Sequence, residues 1–192
     1  MPQKKRIMLR KSLATGWLLL FMSYSPDNHS SEGSFSHGHG AHVHGSASLR
    51  IVLDNNLLFI EFDSPAFNLV GFEHEPANEA QKSALLTVKQ ALDSAELLFR
   101  FTPTRCRREK SDIEVPYIAE HYENHPRSYQ HDHVDIHANY VFQCARAEKL
   151  KTISVNLFTY FPGIQEIRVQ WIFENRQGVA ILTADNPGLK FD

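Results

Sequence analysis

Four histidines stand within nine residues at 37–45, "HGHGAHVHG", with Gly, Ala and one Val between them. Neutral imidazole is the commonest protein ligand for Zn2+, at about 2.0–2.1 Å. Residues i and i+2 of an extended chain project to one face, so His42 and His44 can reach one ion. His37 and His39 repeat that spacing just upstream, and Gly40 and Gly45 let the backbone bend close. The run is interrupted, which sets it apart from an affinity tag. A second group precedes a strong strand pattern. His131 and His133 form another H-x-H pair around Asp132, and His121 and His125 stand at i and i+4. His137 lies four beyond His133, on the same parity, and His74 stands alone in "GFEHEP".

A lone histidine is usually a surface residue or a satisfied core residue, but two separate H-x-H pairs point to metal binding. Histidine with a few carboxylates suits zinc, copper or nickel rather than calcium or magnesium. The three methionines, Met1, Met8 and Met22, all fall in the N-terminal segment, which disfavours a Cu(I) site and leaves zinc as the expected ion. Imidazole protonation should weaken binding below about pH 6. Enzyme signatures are missing. "HYENH" at 121–125 carries Tyr122 and Asn124 where the zinc-protease motifs need Glu. No nucleophile elbow, phosphate loop or dinucleotide-binding glycine pattern occurs. Glu73, Glu75, Glu120 and Asp132 stand near histidines and could orient them or act as bases. None is marked as catalytic. A non-enzymatic zinc binder is expected, with a zinc-dependent hydrolase or a metal-free interaction domain as alternatives.

The elements that must position these residues can be read in outline. The chain has 192 residues, 42% of them hydrophobic, and a net charge of -2. That supports a core and argues against a nucleic-acid partner. Residues 1–28 read as a signal peptide, a basic start followed by the short apolar run "SLATGWLLLFMSY". The run is short for a membrane span, so no stable span is expected after cleavage; an uncleaved anchor is the alternative. Residues 29–41 read as a flexible Ser/Gly/His leader, and 42–192 as one zinc-binding domain with a histidine-containing loop at 119–133. An export signal with two cysteines, Cys106 and Cys144, favours one disulfide, with two buried thiols as the alternative.

Alternation predicts a hairpin, 47–53 and 57–63, turned at Asp54-Asn55-Asn56. Helical spacing predicts a main helix over about 79–92, capped by Asn78, with a short turn at "AELLF". Two short extended pieces are expected in "TRCRREKSDIEVPYIA" and a strand in "VDIHANYVFQCAR". A helical turn is expected at Ala145–Leu150, a strand at "KTISVNLF", and a last hairpin turned at "ENRQG". The expected class is α+β: predominantly antiparallel sheet, one main helix and histidine-rich loops.

"AHVHGSASLRIVL" followed by "SPAFNLVGFEHEP" resembles the ZrgA-like proteins, histidine-rich periplasmic zinc-uptake proteins, as do "HVDIHANYVFQC" and "VNLFTYFPGIQEIRVQWI". The resemblance spans about residues 41–183. It implies a periplasmic protein that captures or hands over Zn2+, in support of a zinc uptake transporter or its periplasmic binding component. Matched onto this sequence, the recurrent histidines are His42, His44, His74 and His133, which would complete a closed tetrahedral shell. His37, His39, His121, His125, His131 and His137 would be auxiliary. The loop at 119–133 is sparser in histidine than in the family, which bears on extra ions rather than on the four-histidine site.

Overall fold

Strict alternation builds the first hairpin. The computed structural model describes residues 43–118, 134–173 and 175–191. In β1 (Ser46–Asp54), Ala47, Leu49, Ile51 and Leu53 are buried; in β2 (Leu57–Pro65), Leu58, Ile60 and Phe62 are. The strands pair antiparallel from Ser48 with Asp63 to Asp54 with Leu57. The two-residue loop between them needs positive φ, which Asn55 adopts at 53°.

α1 (Ala66–Val70) follows at once and ends at Gly71, left-handed at φ 81°. The expected main helix is α2 (Glu79–Asp93), where the Asn78 side chain accepts from the Gln81 N–H at 3.0 Å. Leu85, Val88 and Leu92 form its buried stripe. The turn α3 (Ala95–Leu98) leads into β3 (Phe99–Thr102). β4 (Cys106–Glu114) is one nine-residue strand where two short pieces were expected, with a bulge between Arg108 and Lys110. Its dense charge hid the alternation. β5 (Asp135–Cys144) has the expected parity, burying Ile136, Ala138, Tyr140 and Phe142. A 3-10 turn at Ala147–Lys149 matches the predicted helical turn. β6 (Thr152–Val155), the turn α4 (Leu157–Tyr160), the hairpin β7 (Glu166–Phe173) and β8 (Arg176–Thr183), and β9 (Gly188–Lys190) complete the order.

Six strands form the main sheet, in the order β4-β5-β2-β1-β7-β8; β3-β6-β9 form a small second sheet. All pairs are antiparallel except β1 with β7, which run parallel from Ser46 with Glu166 to Leu53 with Phe173. The fold is therefore α+β with antiparallel pairing dominant, as expected. Helix α2 and the small sheet lie against one face of the main sheet. The Tyr140 hydroxyl donates to the Leu92 carbonyl at 2.7 Å, and Phe99 meets Tyr140 and Phe142 edge-on. The opposite face carries polar residues and a few exposed apolar ones. Cys106 and Cys144, directly opposite on β4 and β5, form the disulfide. Among the described residues no helix is long and apolar enough to cross a membrane.

Candidate metal centre

One end of the main sheet gathers the head of β1, the end of β2, the end of β4 and the head of β5. Pro65, at the end of β2, pairs with Asp135, at the head of β5. The Ala66 N–H donates to the Val134 carbonyl at 2.9 Å, and the Tyr117 hydroxyl, just past β4, donates to the Glu73 carbonyl at 3.5 Å. β1 and β5 flank β2, so their heads stand about 10 Å apart at the usual strand spacing.

His44 is held at this end by its neighbour Gly45. The Gly45 N–H donates to Asn68 Oδ1 at 2.6 Å, and its carbonyl accepts from Gln165 and Glu166 at 2.7 and 3.0 Å. Asn68 is buried; its Nδ2 donates to the Ser46 carbonyl and to Ser64 Oγ. Gly45 adopts φ 86°, and a Cβ there would lie 2.9 Å from Gln165 Cδ. The Gln165 side chain can swing aside, so it is the backbone conformation that favours glycine here. The His44 ring stacks on Phe67 of α1, centroids 4.2 Å apart and planes 12° from parallel. Its Nε2 stands 3.3 Å from Glu73 Oε1. The Glu73 side chain is only 8% exposed against 46% for His44, so the contact sits at the rim of a buried carboxylate.

His74 follows Glu73 directly and is exposed. Its Nδ1 lies 2.8 Å from the Glu75 carbonyl, and its ring leans on Phe72 at 5.2 Å. A carbonyl accepts only, so Nδ1 carries the proton and Nε2 keeps the lone pair a metal needs. Folding thus brings His44 against the residue before His74.

His137 lies elsewhere. It pairs with Asp63 on one side and Glu114 on the other, on the face of the sheet away from the core. Asp63 also pairs with Ser48, inside β1, whereas His44 stands in the turn before that strand begins, so His137 lies further down the sheet than His44. Its Nδ1 is 2.6 Å from Asp63 Oδ1. That hydrogen bond holds the His137 pKa above its ordinary value; partial burial works against it, and the charges of Asp63, Asp135 and Glu114 add to it. Partial burial pushes the Asp63 carboxyl up. The hydrogen bond from His137 and the charge of Arg50 together outweigh it and leave the group lowered.

His42 and His133 lie outside the described residues, as do His37, His39, His121, His125 and His131. Among the described residues, no three His, Cys, Asp or Glu side chains are placed to hold a metal ion. Of the expected ligands, His44 and His74 reach one end of the fold, and His137 stands apart with Asp63. Sequence reasoning singled out Glu73 as a carboxylate near a histidine. It did not find Asp63, Phe67 or Asn68, whose partners are brought in by strand register and by α1.

No curated protein matches the chain. Residues 41–191 match the model of a family described as ZrgA family zinc uptake protein. That match covers most of the 192 residues, and the chain belongs to this family. Its role is therefore in zinc uptake.

Proposed function

We propose that this ZrgA-family chain acts in the periplasm as a non-enzymatic zinc-binding protein, its tight site formed by the imidazoles of His42, His44, His74 and His133. The observation that carries the reading is the convergence of the described neighbours of all four at one end of the sheet. His44 touches Glu73, next to His74, and Val134, next to His133, bonds to Ala66 at the start of α1. Four neutral imidazoles suit the tetrahedral preference of Zn2+. Glu73, against His44 Nε2, takes the role of an orienting carboxylate, leaving Nδ1 of that ring for the ion. The disulfide suits an oxidising compartment, which fits removal of residues 1–28 as a signal peptide.

His37, His39, His121, His125, His131 and His137 act as weaker, auxiliary ligands. Zinc held loosely by them passes on readily to an uptake transporter or its periplasmic binding component. Calorimetric zinc titration of single His42→Ala, His44→Ala, His74→Ala and His133→Ala variants tests the assignment. Each should weaken the tightest site by about tenfold or more, since a lost ligand removes several kcal/mol of a binding energy of order 10 kcal/mol. Unchanged affinity in all four overturns it.

A further inference from the structure

The two edges of the main sheet differ sharply. At one edge, β4 carries Arg107, Arg108, Glu109, Lys110, Asp112 and Glu114, and is bulged between Arg108 and Lys110. Charge and bulges are the usual protections of an exposed edge against pairing with another chain. At the other edge, β8 carries one charge, Arg176 at its first residue beside the turn, and has no bulge. Residues 177–184 read "QGVAILTA", without a charge, a proline or a register shift. Val179 is 80% exposed and Ile181 62%, both on the face away from the core. Among the described residues, no strand pairs with β8 on its outer side.

In an antiparallel ladder, alternate residues of an edge strand turn their N–H and C=O outward. Thr183 marks which ones do so here. Its N–H and C=O bond to Asn186, outside the pairing with β7. Gln177, Val179 and Ile181 share its parity and present the outward groups. Asn186 occupies the edge beside Thr183, so the free stretch is Gln177–Ile181, centred on Val179.

We propose that this edge pairs with β8 of a second copy of the chain. The two strands run antiparallel about a two-fold axis at Val179, joining two sheets into one of twelve strands. In that register Val179 faces its own copy and Ile181 faces Gln177, all on the open face. No like charges oppose each other, which is what a self-complementary interface requires. A foreign strand would find the same hydrogen bonds. Between Gln177 and Ile181 the strand carries no charge and sets its own exposed Val179 against the same valine of the copy, which favours the copy. Edge pairing over five residues buries less than the roughly 1,200 Å2 of a standard interface, so the dimer is weak and depends on concentration.

Sedimentation equilibrium of the purified protein, with a chelator present so that histidine-bound metal cannot bridge copies, tests this. The protein should dimerise between about 10 µM and 1 mM. Val179→Lys should weaken the dimer by about tenfold or more while the melting temperature stays unchanged, because the side chain is exposed. Directly opposed, hydrogen-bonded Cα atoms lie about 5.5 Å apart, within disulfide reach. Val179→Cys should therefore cross-link under mild oxidation, while Ile172→Cys, one strand further in, should not. A monomer throughout the range overturns the proposal, as does a dimer that withstands Val179→Lys.

Discussion

His44 lies flat on Phe67, and the same short helix that supplies Phe67 supplies Asn68, which holds the residue after His44. One turn of helix thus sets both the plane of the imidazole and the backbone from which it projects. Phe67 is 44% exposed, so its truncation takes little from the core. Stacked rings contribute about 0.5–1.5 kcal/mol. Phe67→Ala should weaken zinc binding by about two- to tenfold with little change in melting temperature, read by calorimetry and a thermal scan. A large loss of stability with unchanged affinity would give Phe67 a role in packing alone.

Asn68 is a matter of stability. Asn68→Ala leaves the Gly45 N–H and the Ser46 carbonyl without their partner in a buried setting. Such losses cost about 1–3 kcal/mol per group, so denaturant unfolding should show a loss of about 3 kcal/mol. Gly45→Ala should cost about 1–3 kcal/mol, through strain at φ 86°.

The pairing of His137 with Asp63 makes stability depend on pH in a defined window. The His137 pKa is raised above its ordinary 6.5, so its contribution is complete below that value and fades as pH rises through the folded-state pKa. The Asp63 pKa is lowered below its ordinary 3.8, so its contribution is complete above that value and fades as pH falls through the folded-state pKa. In metal-free protein, the difference in stability between wild type and His137→Gln should therefore be greatest between about pH 4 and 6.5. Thermal melts across that range decide it; a difference that grows steadily above pH 7 would contradict the pair.

The Cys106–Cys144 bridge closes a separation of 38 residues. Replacing both by Ser should cost about 4 kcal/mol in the chain-entropy picture. The bridge joins the start of β4 to the end of β5, the end of the sheet opposite His44 and Val134. Zinc affinity of the folded variant should stay within about twofold of wild type, because distant sites act independently.

Local pattern carried much of the fold. The β1–β2 hairpin, the Asn78-capped helix and the parity of β5 follow from alternation or 3.6-residue spacing within one segment, and the sequence shows each. β3 and β9 have four and three residues, too few for a period to register. The parallel pairing of β1 with β7 joins residues 120 apart and leaves no local trace. The site divides the same way. H-x-H spacing singles out His44 and the adjacent carboxylate singles out Glu73. Asp63 meets His137 only through strand register, and Asn68 reaches Gly45 only once α1 has folded back over the head of β1.

β1 is first of the described strands in sequence but lies inside the sheet, between β2 and β7. Its neighbour on one side follows at once in sequence, and its neighbour on the other begins 120 residues on. Long-range pairing of this kind is slow, and here it waits until Glu166–Phe173 has been made. The carbonyl of Gly45 gains its two donors only at Gln165 and Glu166. A chain that has not reached β7 therefore holds Gly45 through Asn68 alone, and the turn that carries His44 is fixed from both sides once that strand has arrived.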